Sequence, residues 1–259
     1  MKIAVVVITD QGEKVGRKIH QALGESKLFV PARLGKDKES DLLFEGRLRD
    51  LVKELFAEFE GIVFCMALGI VVRVIAPYLK DKYQDPAIVV VDEAARFAIS
   101  TLSGHEGGAN KLAYAVANSI GAQAIVTTAS ETNKKIIVGL GCRKGAKKED
   151  IKRAITEGLK MRGLSLDEVM CIATVEIKKN ETGLKEACVE LGVPLTFVPC
   201  YKIANFGGKY QKSDFVKKKI GLNGVSEPCA LLAGRRAKLI LPKTVICGVT
   251  IAIAREDCT

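Results

Sequence analysis

Short runs of Val, Ile and other apolar residues recur along the chain, and most of them are followed by a segment with helical periodicity. Such alternation favours largely parallel sheets that are covered by helices on their faces. The pattern restarts near Thr132–Lys135, without any internal sequence repeat. We therefore expect an α/β protein of two three-layer domains, 1–133 and 134–259, with largely parallel or mixed sheets.

The periodicity predicts the following elements. In the first half, strands are expected at Lys2–Thr9, Gly61–Met66, Ala87–Asp92, Phe97–Leu102 and Ala124–Thr128, and helices around Val15–Leu23, Glu45–Phe59, Ile70–Leu79 and Ala109–Ser119. In the second half, strands are expected at Lys135–Gly141, Met170–Val175, Leu195–Pro199, Ala237–Pro242 and Val245–Ala254, and helices at Lys148–Met161, Glu181–Leu191 and Ser226–Ala233. The two runs between residues 87 and 102 fit either a hairpin or two separate sheet strands.

The formal net charge of +10 is distributed unevenly. The first 134 residues hold 17 Lys/Arg and 17 Asp/Glu, whereas the remainder holds 23 Lys/Arg and 13 Asp/Glu. This asymmetry predicts an anionic partner for the second half, although a solvated basic face without a partner would give the same count. Aromatic residues make up 5% of the chain and Trp is absent, so we expect a small polyanion and no nucleic acid as the partner.

Cysteine usage and hydropathy indicate the cellular compartment. No C-x-x-C pair exists among the eight cysteines, and Cys65, Cys171, Cys229 and Cys247 lie inside apolar runs, where a free thiol packs as a small hydrophobic group. No apolar stretch approaches the ~20 residues of a membrane span, and Met1–Thr9 has the pattern of a first strand and not of a secretion signal. We therefore expect reduced thiols, no structural zinc, no membrane partner and a cytoplasmic location.

The segment Ser103–Asn110, with the sequence SGHEGGAN, is the densest candidate site. Its glycines Gly104, Gly107 and Gly108 permit close approaches of a ligand that side chains would prevent. The turn precedes a helix, whose free N–H groups can hold an oxyanion. His105 at the tip of the turn can take a proton from water near neutral pH, or else it only caps a tight connection.

The segment Gly139–Gly145 follows a strand and precedes a helix, as a dinucleotide fingerprint does. That fingerprint requires G-x-G-x-x-G, but here the third glycine comes one residue late and Glu176 lies too far on to bind a ribose. Dinucleotide binding is therefore disfavoured. The turn still suits a carboxylate bound by backbone amides with Arg143 and Lys144, whereas Cys142 has no histidine in this half to activate it.

Four further charged residues allow more than one interpretation. Arg73 stands among apolar residues and should reach a carboxylate, either of the protein or of a ligand. Glu227 suits a helix start better than a binding site. Lys178 and Glu181 are most simply a solvated charge pair. His20, the second histidine, belongs to an ordinary amphipathic helix and is expected to be structural or solvated.

These motifs follow one another in an order found in a known family. In the first half they are Gly69–Pro77 (GIVVRVIAP), Lys82, Asp85–Pro86, Ser103–Asn110 and Thr127–Ala129 (TTA). In the second half they are Val138–Gly145 (VGLGCRKG), Lys178, Glu181, Gly183, Leu184, Ser226–Pro228 and Ala230. Over nearly its whole length the chain resembles the cobalt-precorrin-5A hydrolase family, the ring-opening enzymes of anaerobic cobalamin biosynthesis. The SGHxGGAN run is the most specific of these motifs.

The resemblance implies a reaction and a substrate. Family members hydrolyse a δ-lactone on a cobalt-bound macrocycle and release acetaldehyde. The acetate and propionate groups of such a substrate would account for the basic second half, and its cobalt implies that the protein needs no metal or cofactor of its own. Two departures stand out: a middle segment common in the family is missing after Thr128–Asn133, and Glu106 stands where an apolar residue is more usual.

The residues and this reaction together predict a division of roles. His105 activates water, and Glu106 orients the water or acts as a second acid or base. The oxyanion would be bound by Gly104, Gly107, Gly108 and Asn110, and the substrate carboxylates by Arg73, Lys82, Arg143, Lys178 and Glu227. The alternative is a non-catalytic, tetrapyrrole-binding escort of the same pathway. The sequence leaves open whether the protein is a homodimer or contacts neighbouring pathway enzymes.

Overall fold

The computed structural model describes residues 1–34, 41–131 and 133–257. The chain forms two compact units, Met1–Thr128 and Ala129–Thr259. In each unit a sheet has hydrophobic clusters on both of its faces, under the helices that cover it. The expected fold class, two three-layer α/β domains with mixed sheets, is confirmed.

Within the described residues, the first unit contains a seven-stranded sheet of order β3-β2-β1-β4-β5-β6-β7. Its strands are β1 (Ile3–Val7), β2 (Ser26–Pro31), β3 (Asp41–Phe44), β4 (Gly61–Cys65), β5 (Ala87–Val91), β6 (Phe97–Leu102) and β7 (Gln123–Ile125). Neighbouring strands run parallel except β5 and β6, which form an antiparallel hairpin. The hairpin interpretation of the two runs between residues 87 and 102 is therefore confirmed.

Two pairs of helices cover this sheet. Helices α1 (Asp10–Leu23) and α4 (Ala109–Ile120) pack on one face, and α2 (Leu48–Glu58) and α3 (Leu68–Ile75) pack on the other. Because side chains alternate along a strand, Val5 and Val7 enter the first hydrophobic cluster while Ala4 and Val6 enter the second. Strands β4 and β5 are buried along their whole length, as their continuous apolar sequences predict.

The second unit has a five-stranded sheet of order β10-β9-β8-β12-β11 among the residues described. Its strands are β8 (Ile136–Gly141), β9 (Val169–Val175), β10 (Leu195–Val198), β11 (Lys238–Ile246) and β12 (Val249–Arg255). Its helices are α5 (Lys148–Lys160), α6 (Thr182–Leu191), α7 (Cys200–Ala204), α8 (Asp214–Ile220) and α9 (Ser226–Leu232). Strands β8, β9 and β10 are parallel, so the segments that follow them lie at one edge of the sheet. Helices α5 and α6 cover one face, and α7 and α9 cover the other.

The last hairpin differs from its prediction. Strand β11 continues through Pro242, because it is an edge strand whose pairing with β12 shifts between Leu241 and Thr244, where a proline is tolerated. The chain turns instead at Cys247 and Gly248, with φ of 50° and 74°, as in a tight two-residue hairpin. Cys247 is consequently exposed, contrary to the expectation that its thiol packs as a small hydrophobic group within the apolar run.

Other boundaries also differ. Helix α3 ends at Ile75, and a single 3-10 turn, Ala76–Tyr78, carries Pro77 where the prediction continued the helix to Leu79. The prediction omitted the two strands β2 and β3 and the short helices α7 and α8. The cysteines within the described part of the chain are all free thiols, as expected.

Candidate active site

The SGHEGGAN loop lies at the edge of the first sheet where β5 begins. Because β6 runs antiparallel to β5, its last residue Leu102 pairs with Ile88 near the start of β5. The Ser103 hydroxyl donates a hydrogen bond of 2.9 Å to the carbonyl oxygen of Asp85, immediately before that strand. The Asp85 carboxylate in turn accepts from the Lys80 amide at 3.0 and 3.2 Å. Two loops are thereby fixed to one another at this edge.

The backbone of the loop is folded tightly upon itself. Ser103 has a φ of 54°, which is uncommon for a residue with a side chain, and Gly108 has a φ of 87° where α4 begins. A Cβ on Gly107 would lie 2.5 Å from the Ser103 Cβ and 2.9 Å from its carbonyl oxygen. Any larger residue at position 107 would therefore force the loop apart.

Only part of the expected oxyanion site is available to a ligand. The Ala109 amide donates to the Ser103 carbonyl at 3.2 Å, and the Asn110 amide donates to the Gly104 carbonyl at 2.9 Å. Among the described residues, the N–H groups of Gly107 and Gly108 donate to no other group. The Gly104 N–H is likewise unengaged and only its carbonyl is used, so Gly104, Gly107 and Gly108 all keep an amide for an oxyanion, the last two directly before α4.

Asn110 has a structural position that the sequence did not predict. It is 7% exposed, and its Oδ1 accepts from the Ser100 hydroxyl at 2.8 Å while its Nδ2 donates to Thr128 Oγ1 at 3.0 Å. These bonds join β6, α4 and the TTA segment that follows β7. The predicted role of Asn110 as an anion ligand is corrected on this geometry, because its amide already binds two side chains of the protein.

His105 and Glu106 both face solvent at the tip of the loop. The His105 ring has no hydrogen-bond partner among the residues described, so both of its nitrogens are accessible. Glu106 Oε1 accepts from the Lys82 ammonium at 2.9 Å, which lowers the pKa of Glu106 below its ordinary value and raises that of Lys82. The structure therefore brings His105, Glu106 and Lys82 together, and it favours the ionised form of the Glu106 carboxylate.

Arg73 lies on the outer side of α3. It is exposed, and it pairs with no carboxylate in the described part of the chain. Of the two partners considered from the sequence, a carboxylate of the protein is therefore not found, and one of a ligand stays a prediction.

In the second unit, Lys178 and Glu181 form an ion pair of 3.1 Å in which each side chain is only 15% exposed. The other Glu181 oxygen accepts from the Gly145 amide at 2.9 Å. Burial opposes ionisation of Glu181, but these two hydrogen bonds outweigh it, and its pKa lies below the ordinary value. The expectation of a solvated pair was wrong, because the carboxylate joins the segments after β8 and β9. It also occupies the turn amide that was expected to bind a substrate carboxylate.

The neighbours of this pair differ in accessibility. Arg143 is exposed and has no partner among the described residues, so its guanidinium is available for the predicted contact with a substrate carboxylate. Burial raises the pKa of the Cys142 thiol, although the nearby Lys178 acts in the opposite direction. A cleft of about 830 Å³, lined in part by Glu181, lies between the segments 144–149 and 177–186. Cys142 is thus a poor nucleophile, in agreement with its expected packing role.

Glu227 lies in the interior of the second unit, 2% exposed. Its two oxygens accept from the Lys243 amide at 2.7 Å and the Gln211 amide at 2.5 Å. The carboxylate therefore joins α9 to β11 and to the chain before α8. Its predicted contact with a substrate carboxylate is corrected, since two anionic groups would repel each other and no donor is free on this side chain.

Comparison with known proteins identifies the family. The family model described as cobalamin synthesis G N-terminal matches residues 50–131, and the one described as cobalamin synthesis G C-terminus matches residues 136–254. The chain belongs to the cobalamin synthesis G family. Its candidate loop 103–110 lies inside the first matched region, and the Lys178–Glu181 pair lies inside the second.

Relatives in this family are similar over most of the chain. A cobalt-precorrin-5A hydrolase from Priestia megaterium is 26% identical over 352 aligned residues, which cover 97% of this chain and 94% of the relative. One from Salmonella typhimurium strain LT2 is 33% identical over 154 residues, 59% of this chain and 43% of the relative. Because the longer alignment exceeds the 259 residues here, that relative contains segments that this family member lacks.

Among solved structures, a similar one is that of CobE, described as a protein from the cobalamin (vitamin B12) biosynthetic pathway. It is 28% identical over 47% of this chain and 89% of its own, with a TM-score of 0.44.

Among the described residues of this family member, no helix has the length and apolarity required to cross a bilayer. The same residues contain no cluster of three or more His, Cys, Asp or Glu side chains placed to bind a metal ion.

Three residues that organise the loop received no role from the sequence: Ser100 and Thr128, which act through their side chains, and Asp85, which accepts from Ser103 through its main-chain carbonyl. Thr128 and Asp85 belong to the motifs TTA and Asp85–Pro86, so their place in those motifs was the available signal. Ser100 is one of several hydroxyl residues in a strand, and its hydrogen bond to Asn110 depends on how β6 packs against α4.

Proposed function

We propose that the protein opens the δ-lactone of cobalt-precorrin-5A and releases acetaldehyde. The proposal is carried by the loop 103–110, which is held by hydrogen bonds at both ends and presents the unpaired His105 ring together with the unengaged amides of Gly104, Gly107 and Gly108. It is supported by the relatives named cobalt-precorrin-5A hydrolase, one of which aligns with 97% of the chain.

The residues suit addition of water to a lactone carbonyl. His105 takes a proton from water as the oxygen bonds to the carbonyl carbon, and the N–H groups of Gly107 and Gly108 stabilise the oxyanion that forms. Collapse of this intermediate breaks the ring C–O bond and leaves a carboxyl group and a hydroxyl group. That hydroxyl oxygen becomes the aldehyde oxygen when the C–C bond to the macrocycle breaks, and the macrocycle keeps the electron pair and takes up a proton.

Glu106 acts in this proposal by orientation and not as an acid. The hydrogen bond from Lys82 keeps its pKa low, so at neutral pH the carboxylate has no proton to give. It can accept a hydrogen bond from the attacking water or from the His105 ring. Of the two roles expected for Glu106, orienting the water is the one its environment favours.

Two arginines are the best candidates for binding the substrate's acetate and propionate groups. Arg73 and Arg143 are exposed and unpaired within the described chain, and a guanidinium can bind a carboxylate through two hydrogen bonds. Lys82 and Lys178 each already hold a glutamate, so a substrate carboxylate would have to share or displace that partner.

The decisive experiment is acetaldehyde release from cobalt-precorrin-5A by the purified protein and by His105→Ala. We expect release by the wild type and a decrease of roughly 100-fold or more in the variant. His20→Ala is the matched control. His20 lies in α1, where its Nδ1 is 2.9 Å from Ser26 Oγ of β2, so its replacement should not affect turnover. Full activity of His105→Ala would refute the assigned role of His105.

A second candidate function is a non-catalytic escort that binds the same macrocycle. It is favoured by one observation: the P. megaterium relative contains segments that this chain lacks. The escort predicts tight binding of cobalt-precorrin-5A without acetaldehyde release by the wild type. The same assay therefore separates the two functions.

A further inference from the structure

Helix α3 has an outer face that the fold of the first unit does not explain. Val71 and Ile75 point into the core and are buried, whereas the opposite side is open to solvent. The outward residues of α3 are Leu68, Gly69, Ile70, Val72 and Arg73, and the 3-10 turn after it adds Ala76 and Pro77. Ile70 is 40% and Val72 is 49% exposed. Surface helices usually present polar residues to water, but this face has a single charged group.

Gly69 is the most informative residue of this face. A Cβ placed on it would meet no atom within 4 Å, and its backbone lies outside the left-handed region that favours glycine. Neither packing nor conformation therefore requires glycine here, in the first turn of α3, although alanine is the better helix former. A glycine that the fold does not need is explained if another molecule lies directly against the helix at this point.

Gly69 and Arg73 are neighbours on the helix surface, since they are four residues apart, and Val72 and Ala76 adjoin them in the same way. The four residues form a flat, apolar strip with one guanidinium. Arg73 has no carboxylate partner within the described chain, so this cation is free to bind an anion of a ligand. The strip thus suits a molecule with a flat apolar face and acidic groups at its periphery.

The strip is continuous along the chain with the candidate active site. Helix α3 follows the end of β4, and the segment 76–86 after the helix leads to the beginning of β5, the sheet edge at which loop 103–110 also starts. The segment after α3 carries Lys82, which bonds to Glu106 beside His105. A ligand on α3 would approach the residues proposed to open the lactone only if it extends past the C-terminal end of the helix, away from Gly69.

We propose that the outer face of α3, centred on Gly69, Val72 and Arg73, binds the face of the tetrapyrrole macrocycle while Arg73 holds one of its carboxylates. This inference rests on the proposed function for the identity of the ligand. The macrocycle matches both properties of the strip, whereas a second copy of the chain would need an acidic patch opposite Arg73.

The test measures dissociation constants for cobalt-precorrin-5A by absorbance titration, together with acetaldehyde release, in the full-length protein. Gly69→Ala should weaken binding roughly tenfold through the added methyl group, while the melting temperature stays equal or rises because alanine favours the helix. Arg73→Gln should weaken binding roughly tenfold through loss of a charge-assisted hydrogen bond. Matched controls are Lys14→Gln, at an exposed position on α1 of the same unit, and Val189→Ser, at an exposed position in the second unit; both variants should bind the macrocycle as the wild type does.

The possible outcomes separate this inference from the proposed function. Binding that depends on Gly69 and Arg73 but yields no acetaldehyde would reject the hydrolase and keep the binding face. Turnover by the wild type with unchanged binding in both variants would overturn the binding face alone. A wild-type dimer that Val72→Ser converts to monomers of equal affinity would show that the face joins two copies, which also overturns the inference. A wild type that neither binds nor turns over the macrocycle would reject both.

Discussion

At the scale of single residues, the Lys82–Glu106 pair determines which protonation states the candidate site presents. Glu106 follows His105 directly in the sequence, at the exposed tip of the loop. The hydrogen bond between Lys82 and Glu106 lowers the pKa of Glu106 and raises that of Lys82, which widens the pH range over which both groups are charged. The site therefore presents a fixed charge pair beside a free imidazole.

Lys82→Met should move the titration of Glu106 upward, toward the value of an ordinary glutamate. The folded pKa of Glu106 is lowered, so the pair stabilises the protein above the ordinary Glu value, and this contribution is lost as the pH falls through the lowered pKa. Because both side chains are exposed, the effect on overall stability should be small. NMR titration of the Glu106 carboxyl group in the two proteins measures the shift, and identical midpoints would show that Lys82 does not hold Glu106 in solution.

At the scale of secondary structure elements, the loop 103–110 depends on three elements that meet at Asn110. Its side chain binds Ser100 of β6 and Thr128 after β7, while its own backbone belongs to α4. In the second unit, Glu181 plays a comparable part, since it joins the turn after β8 to Lys178 in the segment after β9. In both units a partly or fully buried polar side chain fixes a loop at an edge of the sheet.

Asn110→Ala should destabilise the first unit by about 1–3 kcal/mol, because it leaves the buried Ser100 hydroxyl without its acceptor. Amide hydrogen exchange is the suitable measurement, since it reports on α4 and the loop separately from the second unit. Exchange should accelerate from Ser103 to the first turn of α4. Asn133→Ala, a change at an exposed residue, is the control and should leave exchange there unaltered. Unchanged protection in Asn110→Ala would mean that the loop is held by its backbone bonds alone.

At the scale of the whole molecule, the net charge of +10 resides in the second half of the sequence. An anionic macrocycle would be attracted by this field before it makes any specific contact. The exposed lysines of α8, among them Lys217 and Lys218, extend the basic surface and lie outside the candidate sites. We therefore expect the charge to act on association and not on the chemical step.

Binding of cobalt-precorrin-5A should weaken roughly tenfold when the ionic strength rises from about 0.05 M to about 0.5 M, because salt screens the attraction between exposed charges. Replacing Lys217 and Lys218 by Gln should lower the association rate measured by stopped flow, with no change in kcat. Lys53→Gln on α2 of the first unit serves as the comparison and should have a smaller effect. A salt-independent affinity would show that the basic half serves another partner.

The sequence by itself determined the α/β class, the three layers of each unit and most of the buried strands, because local periodicity of apolar residues reports burial directly. It also singled out loop 103–110 through its glycines and His105. The tertiary structure alone decided that β6 runs antiparallel, so that this loop meets Asp85, and that Pro242 lies within an edge strand. It alone decided that Glu181 and Glu227 turn inward to bind backbone amides, and that one face of α3 stays uncovered. These features depend on contacts between residues far apart in the chain, and local periodicity carries no information about which distant segments will pack together.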